Sequence, residues 1–96
     1  MKKLESELEK KCCKFARSHG VAAVKLENCG HRGIPDRQFI FKGGTCFFVE
    51  FKTPNGNGKL SDEQVYWREF LGWRCVGCDD YGEFVKLFMS WIELCK

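Results

Sequence analysis

Ninety-six residues, 44% hydrophobic and 15% aromatic, are enough for one compact domain and leave no room for a second core. At this size a homodimer interface would add stability. A net charge of +3 permits a nucleic-acid partner without arguing for one. No apolar run approaches the ~18 residues of a membrane span, and MKKLESELEKK lacks the apolar segment of a secretory signal, so a cytoplasmic protein is expected.

In chain order, Leu4, Leu8, Cys12 and Phe15 recur at helical spacing, and Gly20 supplies a stop. Val21–Glu27 reads as a strand, and NCGHRGIPD as a loop punctuated by Gly30, Gly33 and Pro35. RQFIFK and TCFFVEFK read as two strands turned by Gly43-Gly44, since both glycines can take positive φ. TPNGNGK is a polar loop. Ser61 is a good N-cap for a helix over DEQVYWREFL, which Gly72 closes. WRCVGC reads as a fourth strand and YGEFVKLFMSWIELCK as a last helix. The order is αβββαβα, an α/β fold whose hairpin and helical crossover predict a mixed four-stranded sheet flanked by helices.

The cysteines are Cys12, Cys13, Cys29, Cys46, Cys75, Cys78 and Cys95. Their odd number, without a secretion signal, argues for reduced thiols. Cys75-Val-Gly-Cys78 has the spacing of half a zinc site, but no second CxxC or HxxxH completes it. Structural thiols are the expectation.

The strand CFFVEFK is apolar on both faces for most of its length, which predicts a central, covered strand. Cys46, Phe48, Glu50 and Lys52 share one face by alternation. If Gly43-Gly44 is a two-residue turn, Lys42 pairs with Thr45, position 50 falls opposite 37, and Asp36 lies within a residue of Glu50. Two carboxylates at that separation suit a hard divalent cation such as Mg²⁺, which keeps waters and open positions. Lys52 on the same face could orient a water or offset charge at phosphorus. The alternative is that Asp36 caps a turn and Glu50–Lys52 is an exposed ion pair of little consequence.

GIPD followed by VEFK, in this order of elements, resembles the PD-(D/E)XK nucleases. More narrowly, the run GIPD, hairpin, VEFKTP, LSDEQ and LGW is similar to the VRR-NUC (virus-type replication-repair nuclease) family, over most of the chain. The resemblance implies a Mg²⁺- or Mn²⁺-dependent DNA endonuclease leaving 5′-phosphate. Stand-alone viral members of similar size are associated with homodimers that cut four-way (Holliday) junctions. It places the PD acid at Asp36, the ExK pair at Glu50 and Lys52, a metal-facing backbone carbonyl at Phe51, and a glutamine at Gln64. Ser61 and Gln64 also form a capping-box pattern, and the two roles can coexist. The family's first-helix acid falls on Glu9, with Glu5 in reserve one turn earlier on the same side.

DNA-binding candidates are His31 and Arg32 before GIPD, and Gly56, Gly58 and Lys59 in the polar loop. Lys10, Lys11 and Lys14 on the first helix read as a solvated face. The apolar last helix, from Phe84 to Leu94, is expected to contribute to the dimer interface. Rivals to junction cutting are a nuclease for flaps or nicked duplex, and a DNA-binding module that does not cut.

Overall fold

The computed structural model describes residues 2–26, 30–52 and 60–95, with side chains from residue 5 onward. Three helices and four strands follow one another as α1 (Lys2–Ser18), β1 (Ala22–Lys25), β2 (Arg37–Ile40), β3 (Cys46–Phe51), α2 (Asp62–Leu71), β4 (Cys75–Cys78) and α3 (Tyr81–Leu94). A short 3-10 turn, Gly72–Arg74, joins α2 to β4. The sheet order is β1-β2-β3-β4, antiparallel except for the parallel β3–β4 pair. The expected mixed four-stranded α/β sheet flanked by helices is therefore what forms.

Alternation decides which residues go inside. Phe47, Val49 and Phe51 of β3 are buried, and Phe39 of β2 lies beside Phe47 in the ladder. α1 covers this face with Leu8, Cys12, Cys13 and Ala16, α3 with Phe84, Phe88 and Trp91. Trp91 stacks on Phe47 at 4.4 Å between centroids, with the rings 3° apart. Each fully buried aromatic of this kind stabilises the fold by about 1.5–3 kcal/mol through surface removed from water. Burying the α3 stripe in this way takes Phe84, Phe88 and Trp91 out of any dimer contact that α3 would make. Its large apolar exposures are Met89 and Leu94, outside that stripe.

The opposite face of the sheet carries Phe48 and Glu50 on β3 and is covered more loosely by α2, which buries none of its residues. α2 is a well-capped helix. Ser61 Oγ accepts from Gln64 N, Gln64 Oε1 accepts from Ser61 N, and Gly72 ends the helix at φ 58°. Residues 73 and 74, expected in the fourth strand, instead lie in the 3-10 turn, where Arg74 donates to the Cys46 carbonyl and packs over Trp73.

The hairpin corrects the predicted register. β2 and β3 pair Ile40 with Cys46 and Arg37 with Val49. Phe41 N donates to Thr45 O, and Gly44 N donates to Phe41 O. The turn is therefore Lys42-Gly43-Gly44, with both glycines at φ 96°, one residue longer than a two-residue turn. The shift puts Asp36, rather than residue 37, at the register position opposite Glu50.

Candidate metal centre

Asp36 precedes β2 immediately, and Pro35 before it is buried. Its Oδ2 accepts a hydrogen bond of 2.7 Å from Phe51 N, while its own carbonyl accepts from Leu26 N. The side chain is thus clamped against the end of β3, with one carboxylate oxygen left beside Glu50. Glu50 and Lys52 lie on the same side of the strand, Lys52 Nζ 4.0 Å from Glu50 Oε1. They are 12% and 28% exposed, so the pair is not a free surface ion pair. Gln64 Nε2 donates to the same Glu50 oxygen at 2.8 Å, while its Oε1 completes the helix cap. One side chain thus closes the helix cap and reaches Glu50.

Burial pushes the Glu50 carboxyl up to about 7, Asp36 adds to this by repulsion, and Lys52, Gln64 and Arg68 oppose it. Burial also raises Asp36, partly offset by the Phe51 hydrogen bond. Two acids destabilised as anions side by side are a donor set that a divalent cation would relieve. The Phe51 carbonyl follows Glu50 at the strand end as a third hard oxygen.

Glu9 approaches from the other layer. Arg37 shares its strand face with Phe39, reaches α1, and donates from Nε to Glu9 Oε2 at 2.6 Å and from Nη1 to the Ala23 carbonyl at 3.3 Å. Glu9 lines a cleft of about 250 Å³ with Asp36, His31 and Lys25. Its charge raises Asp36 more than that of Glu5 does. Among the described residues, however, no three acidic, histidine or cysteine side chains converge on one point. The Arg37 guanidinium engages the Glu9 carboxylate, which faces the same cleft as Asp36.

His31 stands on the opposite wall of that cleft, edge-on to Trp67 at 5.3 Å. Arg32 is exposed and lines a second cleft with Gly33, Glu50 and Gln64; its carbonyl accepts from Trp67 Nε1. Gly56, Gly58 and Lys59 lie outside the described residues. Cys75 and Cys78 are buried in β4, and the Cys78 thiol donates to the Asp80 carbonyl at 3.4 Å.

Three contributors were missed. Gly33 lies so close under α2 that a Cβ there would be 2.4 Å from the Glu63 carbonyl carbon. Arg37, adjacent to Asp36, alternates to the other face and pairs with Glu9. Arg68 lies one turn after Gln64 on α2, a spacing that puts both on one helix face and could have revealed it.

No model of a known protein family matches the chain, and no curated protein is similar to it. Among solved structures, one described as a VRR_NUC domain superposes with a TM-score of 0.75 at 25% identity, covering 88% of this chain and 94% of that one. That likeness extends over most of the chain, and the GIPD and VEFK residues fall together at the end of its central strand, so the chain has the fold of a VRR-NUC domain, as the resemblance of its motifs led one to expect.

Proposed function

We propose that the domain is a Mg²⁺- or Mn²⁺-dependent, structure-specific DNA endonuclease that cuts four-way junctions as a homodimer. The observation that carries the reading is the meeting of Asp36, Glu50 and Lys52 at one end of β3 in a chain of this fold. Asp36, Glu50 and the Phe51 carbonyl would hold the ion, a set of hard oxygens that leaves room for waters and a phosphate. When bound, such an ion lowers the pKa of a coordinated water and offsets charge on a phosphoryl oxygen.

The rest falls to the chain itself. Phe51 N fixes one oxygen of Asp36, and Gln64 holds Glu50 by Oε1, so both carboxylates are oriented before any ion arrives. Lys52, with its ammonium beside Glu50, orients the attacking water and offsets negative charge as the phosphorus becomes five-coordinate. Glu9 acts through its charge on Asp36, tempered by Arg37. His31 and Arg32, exposed on the two clefts that flank the acids, would meet the DNA.

Symmetric cutting of a four-way junction needs two sites in matching orientation, which a twofold dimer provides. Tyr66, Phe70 and Trp73, each more than half exposed on α2 and the following turn, would offer apolar surface to the second copy.

The test is incubation of the protein with labelled four-way junction, flap, nicked and linear duplex, with and without Mn²⁺. Metal-dependent junction cleavage that Asp36→Asn abolishes is the expected result. Preference for the flap would change the substrate, and tight binding with no cleavage under any metal would replace the enzyme with a binding module.

A further inference from the structure

On the open side of Glu50, the parallel ladder pairs it with Gly77 of the edge strand β4. Gly77 has no side chain to fill the face that Glu50 occupies. Arg68 reaches across this gap from α2, and a Cβ built on Gly77 would stand 3.4 Å from Arg68 Nη2. A glycine inside a strand often marks a place where another group approaches the backbone. Here that group is a guanidinium.

Arg68 is partly buried, yet among the described residues its side chain makes no hydrogen bond and no ion pair. Glu50, the nearest acid on this face, is already engaged at Oε1 by Gln64 and faced there by Lys52. Arg68 nonetheless lies close enough to lower both Glu50 and Cys75 by its charge. A partly desolvated arginine with five donors and no acceptor fits a planar oxyanion better than it fits water. A service to the C-terminal dipole of α2 would not require the side chain to lie over β4.

We propose that Arg68, lying over the bare Gly77 beside Glu50, is a ligand for a phosphodiester group of the substrate. This rests on the nuclease reading and deepens it. The Asp36–Glu50 pair would address the scissile phosphate through the ion, while Arg68 grips a phosphate on the β4 side and fixes the strand's position along the site. Contacts of this kind position the backbone without reading sequence.

The experiment measures equilibrium binding of a labelled four-way junction in Ca²⁺ over a range of salt, for the native chain, Arg68→Gln and Arg68→Lys. Loss of one phosphate contact lowers the slope of log K against log salt by about 0.9. Arg68→Gln is therefore expected to show that loss, with affinity about tenfold weaker. Arg68→Lys should recover the slope but not the full affinity, because a point charge replaces a fork.

Native affinity and slope in Arg68→Gln would overturn the proposal while leaving cleavage by the native chain, and so the nuclease reading, intact. A change confined to melting temperature and Mn²⁺ affinity would also overturn it, by making Arg68 structural. If Arg68→Gln does not fold, Arg68→Lys decides: weaker binding with the slope kept supports the proposal, and native binding ends it. A native chain that neither binds nor cuts DNA would remove both readings.

Discussion

At the scale of single residues, Glu50 has the most to reveal. Its carboxyl is raised from 4.5 to about 7, with burial the first cause and Asp36 the second. An acid held up in the folded state adds stability that is complete below its unfolded pKa and disappears as pH rises through the folded value. In protein freed of metal with EDTA, that contribution should fade between about pH 4.5 and 7, amounting to roughly 2–3 kcal/mol for a group only 12% exposed. Thermal melts of native protein against Glu50→Gln should diverge across this window, with native protein the less stable above it. Mn²⁺ should restore the native protein above pH 7 and do little for the variant. Parallel curves would remove the buried anion from the account. Asp36, Glu50 and Lys52 were legible together because alternation along a strand and the closure of a hairpin are local rules. The Arg37–Glu9 pair was not legible, since it depends on how α1 crosses the sheet, and no local spacing encodes that.

At the scale of elements, α2 is the part on which the site depends and the one least fixed by burial. Its position rests on Gly33 packed beneath Glu63 and Gln64, on Trp67 donating to the Arg32 carbonyl, and on Gln64 reaching Glu50. Gly33 is at φ 80°, so an alanine there is strained and also places its Cβ 2.4 Å from helix backbone. Gly33→Ala is expected to cost about 1–3 kcal/mol and to lower cleavage more than tenfold by moving Gln64 off Glu50. Calorimetric melts and cleavage rates at saturating substrate check this; native values for both would mean that the loop does not set the helix. The boundaries of α2 were readable because Ser61, Gln64 and Gly72 act through local hydrogen bonds and φ. The register of the hairpin was misread by one residue because Lys42 joins the two glycines in the turn. The fourth strand starts late for a tertiary reason: Arg74 is drawn to the Cys46 carbonyl, and the chain curls before it pairs.

At the scale of the whole molecule, the distribution of apolar surface separates two dimer geometries. The sequence pointed to α3, whose apolar residues occupy nearly every side. The fold consumes Phe84, Phe88 and Trp91 in the core, and leaves Tyr66 and Phe70 of α2 and Trp73 of the following turn at 54%, 68% and 63% exposure. Rings of this size bury 150–250 Å² each when covered, so their bare portions amount to ~300–400 Å². With a polar rim, that is a fair share of the ~800 Å² per partner found in stable complexes. Asp62, Glu63 and Glu69 give α2 an acidic character that repels a phosphate backbone. The side of α2 that carries Gln64 and Arg68 stays turned to the sheet, leaving each site open in such a pair. Light scattering at micromolar concentration should therefore give a dimer for the native chain and for Met89→Glu, but a monomer for Phe70→Glu. The Phe70→Glu monomer should still bind Mn²⁺, because Phe70 touches neither Asp36 nor Glu50, and should nick one arm of a junction without the paired second cut. A dimer that survives Phe70→Glu and dissociates with Met89→Glu would return the interface to α3, and a native monomer would leave paired cutting without a structural basis.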